Sequence, residues 1–374
     1  MHASPRLMNL LSKVVILWGI GSQSVTLGQE VRLTLPADDP VENSEPVSSI
    51  AFSPDGKLIA TTHGTNLGML QKPTPGQTIL WDAPSGKRVK AISALQDGVR
   101  LAAFSPDGKT LLVLEGPGII RWIAIPEGRE IRKFQLDDQD RGYYSVAFFP
   151  DGKQLVAGIA ANIGSPKSEV QILDLTSGKL VRTLVGHRAT VDSVAVSPDG
   201  KLVASGAMDG TARIWDARTG LTLAILKFPP SEKVLEAIAK EKPTPEEIEM
   251  EQYLHWMQSV AFSPDGRTIA AACTAGFEDP AEVGVWEIST AKWKATLKTI
   301  DPRIQQAVFS PDGKTLVTAG SNGTTTLWDT ATSKNIGTIT GCYPIAFSPD
   351  GKTIAATVST RSIVIQKTPN ADPR

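Results

Sequence analysis

Residues able to carry chemistry are scarce in this chain. Four histidines (His2, His63, His187, His255) and two cysteines (Cys273, Cys342) are spread over 374 residues, too few for a His-rich metal site or a disulfide framework. Cys273 and Cys342 fall in different repeats and are expected to stay unpaired. No G-x-S-x-G elbow, H-E-x-x-H pair, Walker loop or zinc-spaced Cys/His cluster occurs, so no activated nucleophile, metal-bound water or phosphate cradle is signalled. One corner, Asp137-Asp138-Gln139-Asp140, gathers the oxygens a hard cation such as Ca2+ wants, without the ordered spacing of a dedicated loop. Whether Asp137, Asp138 and Asp140 hold a cation stays open, and the chain is otherwise read as having no metal, no cofactor and no catalytic residue. His255, beside Trp256, and His63, in a long first hairpin, read as packed or solvated side chains rather than ligands.

The elements that would position any such group are announced by their turns. Ser-Pro-Asp-Gly, or a near copy, occurs seven times, with its aspartate at Asp55, Asp107, Asp151, Asp199, Asp265, Asp312 and Asp350. Pro presets φ, Asp bonds nearby backbone and Gly accepts positive φ, so each copy closes a β-hairpin. Short alternating strands flank it, such as Ile50-Ala51-Phe52 before and Leu58-Ile59-Ala60 after. The recurrent central Ala lets neighbouring sheets pack closely. A third strand follows, as in Ile79-Leu80-Trp81-Asp82, Ile172-Leu173-Asp174, Ile214-Trp215-Asp216, Val285-Trp286-Glu287 and Leu327-Trp328-Asp329. A turn such as Thr176-Ser177-Gly178-Lys179 then leads to a fourth, for example residues 180–184. Four short antiparallel strands at a period of roughly 40 to 50 is the arithmetic of a propeller blade.

On these residues the chain resembles the WD-repeat (WD40-type) β-propeller family over nearly all of its length after residue 28. Repeat four matches best, from Gly186-His187 through Ser197-Pro198-Asp199-Gly200 to Trp215-Asp216. The resemblance implies a structural tetrad of His187, Ser205, Asp209 and Trp215, joined by hydrogen bonds. Repeat six offers Thr318, Asn322 and Trp328 without the His, repeat two has Ile123-Ala124 where Trp-Asp would stand, and repeat seven has Ile365-Gln366. The expected fold is all-β: a single seven-bladed propeller of four-stranded antiparallel blades over residues 29–369, with a tail at 370–374. Repeat seven ends after its third strand, so the lone strand Val31-Arg32-Leu33-Thr34-Leu35 is expected to complete it and close the ring.

The family's geometry puts the Ser-Pro-Asp-Gly and post-Trp-Asp turns on one face and the remaining loops on the other, where this chain's variation is concentrated. The largest departure separates Asp199 from Asp265, 66 residues against 38 to 52 elsewhere. A short helical insert is expected at about 230–254. Val234, Leu235, Ile238 and Ala239 fall at helical spacing, and Thr244-Pro245-Glu246-Glu247 reads as a capping box with Pro at the first helical position. Three Lys against seven Glu between Ser231 and Gln252 make its outer face acidic. It is read as a binding arm, a lid or decoration, with Tyr253, His255, Trp256, Glu246 and Glu249 as candidate partner-binding residues.

Residues 1–28 carry Arg6 and Lys13, no acidic residue, and the apolar run Val14 to Ile20 followed by small and polar residues. That is the layout of a signal peptide, with cleavage expected after Ser24 or Gly28 and a secreted or periplasmic mature protein. The run is shorter than the roughly 20 residues of a spanning helix, so no permanent membrane span is expected. Lys+Arg 38 against Asp+Glu 39 leaves a net charge of -1, which gives no basic excess for nucleic acid. The expected function is a non-catalytic protein-protein interaction platform, a monomer that binds other proteins. The alternative is a propeller enzyme or small-ligand-binding protein, lactonase-like, with its site at the channel mouth. Carboxylates and His converging there favour the alternative, and exposed aromatic or apolar surface favours the platform.

Overall fold

Each Ser-Pro-Asp-Gly copy is held by its own side chains. The computed structural model describes residues 31–34, 46–64, 76–95, 98–116, 118–135, 143–159, 168–229, 256–274, 281–299, 301, 303–359 and 362–368. In the first turn Ser53 Oγ donates to Asp55 Oδ1 at 2.7 Å, the Lys57 amide donates to the same oxygen at 3.1 Å, and the Gly56 amide donates to Ser53 O at 2.8 Å. The Ser53 hydroxyl and the Lys57 amide hold the Asp55 carboxyl below its usual range. The pattern recurs at Asp107, Asp199, Asp265, Asp312 and Asp350. In the third turn Phe149 replaces the serine and is buried instead, while Asp151 still accepts from the Lys153 amide at 2.9 Å.

These hairpins build seven four-stranded antiparallel sheets. Their innermost strands are Val47–Phe52, Val99–Phe104, Tyr143–Phe148, Val191–Val196, Trp256–Phe262, Ile304–Phe309 and Cys342–Phe347, which define blades one to seven. The innermost strands of blades one and seven touch, so the sheets form a closed ring. Leu35 lies outside the described residues, and the closing strand among them is Val31–Thr34. It pairs with Ser362–Lys367 in the register Val31↔Ile365, Arg32↔Val364, Leu33↔Ile363, Thr34↔Ser362. Leu33 is 1% exposed and packs with Val47, Ile50 and Ile59 of blade one as well as Ile363 and Ile365 of blade seven. That burial is worth about 1.5–3 kcal/mol and ties first blade to last.

Apolar packing lies between blades as well as within them. One cluster unites Ala204, Ile214 and Leu226 of blade four with Met257, Val260, Ile269 and Trp286 of blade five. Phe228, the last aromatic before the chain leaves blade four, stands edge-on to Trp286 and Trp293, with centroids at 5.5 and 5.3 Å.

The turns also touch one another. A Cβ built on Gly56 would lie 3.6 Å from Cδ of Pro349, on Gly108 3.5 Å from Pro54, and so on around all seven turns at 3.4–3.8 Å, with φ between +66° and +72°. Each turn's glycine thus faces the proline of the preceding blade's turn, and Gly56 against Pro349 completes the circle. Only glycine holds this φ without strain.

Among the described residues there is no helix, and none long and apolar enough to cross a membrane. The expected insert at about 230–254, residues 1–28 and the tail at 370–374 lie outside the described residues. Cys273 is buried and Cys342 half-buried, and they form no disulfide.

Candidate functional site

Blade four draws four polar side chains into one buried chain. Trp215 Nε1 donates to Ser205 Oγ at 2.8 Å, Ser205 Oγ lies 2.7 Å from His187 Nε2, and His187 Nδ1 lies 2.9 Å from Asp209 Oδ2. Asp209 also accepts from the Arg188 amide at 2.9 Å, the Thr211 amide at 3.0 Å and Thr211 Oγ1 at 2.6 Å. Burial lowers the His187 pKa below its usual value and outweighs the pull of Asp209. Burial works against ionisation of Asp209 too, but the hydrogen bonds from His187, Thr211 and Arg188 prevail and hold it at about 2. Together these directions assign a neutral imidazole that donates from Nδ1 to an ionised Asp209 and accepts at Nε2 from Ser205, whose oxygen is in turn the acceptor for Trp215. Every member has its partner inside the blade, and all four are buried. The arrangement does structural work.

Other blades solve the same problem with other residues. In blade one Trp81 Nε1 donates to Thr61 Oγ1 at 2.9 Å and Thr61 Oγ1 lies 3.0 Å from His63 Nε2. His63 is the last residue of the strand Leu58–His63 and is buried, so it belongs to the blade and not to the hairpin tip. Blade six keeps the Trp328-to-Thr318 bond at 3.0 Å, and Asp301 accepts from the Arg303 and Asn322 amides at 2.9 and 3.0 Å. Blade two places the buried Glu115 against Arg121 Nε at 2.5 Å.

The innermost strands share a second device. All seven shift register near their start, at Ser48, Arg100, Tyr144, Asp192, Gln258, Gln305, and Tyr343 with Pro344. These bulges aim one side chain per blade into the central channel, which has a volume of ≈ 490 Å³. Because each strand runs from this end toward its Ser-Pro-Asp-Gly turn, the seven residues ring the mouth opposite the turns. They fall into five chemical kinds: a guanidinium, a carboxylate, two phenols, two amides and a hydroxyl. Arg100 lies over the Tyr144 ring, 4.3 Å from its centroid. Asp192 has no hydrogen bond or ion pair among the described residues, and burial in the channel wall pushes its carboxyl up to about 7. Tyr144 and Tyr343 are each 37% exposed, and Trp256, at the start of blade five, 46%.

One layer further in, the residue after the bulge fastens blade to blade. Ser49, Ser145, Ser193 and Ser259 Oγ accept the amides of Ala102, Val194, Val260 and Ala307 at 3.4, 3.1, 3.0 and 3.1 Å, and Gln306 Oε1 accepts that of Ile345 at 2.9 Å. Blade two has Leu101 at this position, which offers no acceptor.

The structure therefore brings His187, Ser205, Asp209 and Trp215 together and places Trp256 on the mouth face. Tyr253, His255, Glu246, Glu249 and the Asp137, Asp138 and Asp140 corner lie outside the described residues. Among the described residues no three of His, Cys, Asp and Glu converge. Sequence reasoning missed the mouth ring and the serine fastening.

Comparison with known proteins agrees with this architecture. The family model "WD domain, G-beta repeat" matches residues 36–66, 178–216 and 295–329. Over 144 residues the chain is 32% identical to WD repeat-containing protein SL1-17 of Schistosoma mansoni, covering 38% of this chain and 45% of that protein. It is 28% identical over 176 residues to the serine-threonine kinase receptor-associated protein of Homo sapiens, 46% of this chain and 47% of that one. To small ribosomal subunit protein RACK1y of Oryza sativa subsp. japonica it is 32% identical over 149 residues, 34% and 43%. The matched stretches thus span a little under half the length of these relatives.

Proposed function

Because the chain is a WD-repeat β-propeller, we propose that it is a non-catalytic platform for other proteins, that it works outside the cytoplasm, and that it meets its partners with the channel-mouth face. The observation that carries this reading is the ring of seven side chains of five chemical kinds on a scaffold whose opposite face repeats one turn seven times. A surface that varies where the fold leaves it free is where recognition is built. Two exposed tyrosines and the exposed Trp256 supply the amphipathic aromatic surface on which interfaces draw. Two relatives carry names that put them in assemblies, one as a receptor-associated protein and one as a small ribosomal subunit protein.

The chain leaves blade four after the strand Thr222–Leu226 and enters blade five at Trp256 on this same face, so the insert at about 230–254, with Tyr253, His255, Glu246 and Glu249, belongs to the proposed interface. The extracytoplasmic part rests on the composition of residues 1–28. Cleavage after Ser24 or after Gly28 would spare the closing strand.

The test is affinity capture by the mature protein from the extracytoplasmic fraction of its producing cells. The control is a chain in which a Gly-Ser bridge replaces residues 230–253, with Phe228 kept because it anchors on Trp286 and Trp293. The wild type is expected to retain a specific protein and the control to lose most of it. No retained protein sinks the platform reading, and a mature chain that still begins at Met1 in the cytoplasmic fraction sinks the compartment.

A further inference from the structure

The mouth ring is divided by charge. Arg100 and Tyr144, on blades two and three, answer each other: the guanidinium lies over the ring, 4.3 Å from its centroid. Blades four, five and six contribute Asp192, Gln258 and Gln305, a carboxylate followed by two amides, all lining the same cavity. Asp192 forms no ion pair with Arg100 and has no hydrogen-bond partner among the described residues. A half-buried carboxylate facing a cavity with nothing among the described residues to neutralise it is a cost the described fold bears without return. The backbone does not demand it, since serine, arginine, tyrosine and glutamine occupy the equivalent bulge in the other six blades.

We propose that the mouth receives a basic side chain, an arginine or lysine from an extended segment of a partner protein, with Asp192 as its counter-ion. This inference rests on the platform reading and names its chemistry. A guanidinium or ammonium placed against Asp192 supplies the missing charge and restores the carboxylate's ionised form, now pushed up to about 7 by burial. Gln258 and Gln305 offer carbonyl oxygens to the remaining N–H donors, of which a guanidinium has five in one plane. The exposed Tyr144 beside Asp192 gives the side chain's stem an apolar wall. An acidic partner group directed at Arg100 would meet the Asp192 charge, and the Arg100 cation already has its ring.

The probe is a dye-labelled pentapeptide, Gly-Gly-Arg-Gly-Gly, against its citrulline counterpart, which keeps shape and hydrogen bonds but has no charge. Fluorescence anisotropy with the mature full-length protein is expected to show the arginine peptide binding about tenfold more tightly, the scale of a charge-assisted hydrogen bond. The Asp192→Asn variant should erase that preference. Asp192 holds none of the described residues in place by a hydrogen bond or ion pair, so the fold should stay intact, and an unchanged melting curve verifies this. Arg100→Gln should keep the preference. Equal binding of the two peptides by the wild type, binding of neither, or an undiminished preference in Asp192→Asn would overturn the inference. The capture experiment separates it from the broader reading: equal partner capture by wild type and Asp192→Asn overturns the basic-side-chain inference and leaves the platform standing, whereas capture by neither overturns the platform.

Discussion

Ser193 Oγ lies 3.0 Å from the backbone nitrogen of Val260 and accepts its hydrogen bond across the junction of blades four and five. Val260 is buried and its amide is directed at Ser193 of the neighbouring blade, so Ser193→Ala should leave a buried donor unanswered and cost about 1–3 kcal/mol. Urea unfolding of the two proteins measures it. Indistinguishable midpoints would mean that water in the channel replaces the hydroxyl and that the serine fastening is incidental.

The blade-four tetrad predicts a graded series. His187→Ala strands the Ser205 and Asp209 groups and should cost about 1–3 kcal/mol. Trp215→Ala loses a fully buried ring and should cost about 3–5 kcal/mol. Partner capture by either variant, once stability is restored, should be unchanged. Loss of capture from His187→Ala at undiminished stability would show that this histidine is functional.

Acid should weaken the fold through the same residues. The folded-state pKa of Asp209 is about 2, below its ordinary value of 3.8, so its contribution, roughly 2 kcal/mol, is present above pH 4 and fades as pH falls through 2. His187 is also depressed, so the unfolded chain takes up its proton first, and stability begins to fall as pH drops below 6.5. The difference in unfolding free energy between wild type and Asp209→Asn should be large at pH 6 and shrink below pH 4. A difference that stays constant to pH 2 would contradict an ionised Asp209.

Turn glycines test a different force. At Gly200 φ is +71° and a Cβ would meet Pro150 Cδ only at 3.5 Å, an ordinary contact. Gly200→Ala should therefore cost about 1–2 kcal/mol through the left-handed backbone alone, and Gly200→Asn should cost less because asparagine visits that region. An asparagine variant less stable than the alanine one would point to crowding at Pro150 instead.

Removing residues 31–35 should expose the outer edge of blade seven and uncover Ile363, which Leu33 now helps bury. A large drop in melting temperature or a loss of solubility is expected. A truncated chain that melts with the full mature protein would make the strand dispensable.

The turns were the legible part of this fold because each carries its whole mechanism in four consecutive residues. The blade count, the pairing of strands and the ring closure by Val31–Thr34 all followed from them. The tetrad positions were readable because repeat four spells out His187, Ser205, Asp209 and Trp215 at the expected intervals. Asp301 in blade six and His63 in blade one escaped because only the fold brings Asp301 to the Asn322 amide and sets His63 beside the Thr61 hydroxyl that accepts from Trp81. The mouth ring escaped for a deeper reason. A bulge adds one residue to a strand's alternation, and nothing in Val-Asp-Ser-Val or Tyr-Tyr-Ser-Val tells which residue is extra until the partner strand is in place. The serine fastening did leave a trace: Ser49, Ser145, Ser193 and Ser259 each stand four residues before the first residue of a Ser-Pro-Asp-Gly turn or its near copy. An alternating polar residue in an otherwise apolar strand was the signal to follow.

Gly56 seated against Pro349 makes the junction of last and first blades the same kind of contact as the other six, and the pairing of Val31 with Ile365 sets both ends of the ring side by side. The ring accordingly has no privileged starting point. A circular permutant that joins Lys367 to Val31 through a short linker and opens the chain between Leu95 and Val99 would keep every strand pair and every turn contact described above. What distinguishes the blades is then not their order in the chain but the side chain each one sends to the mouth.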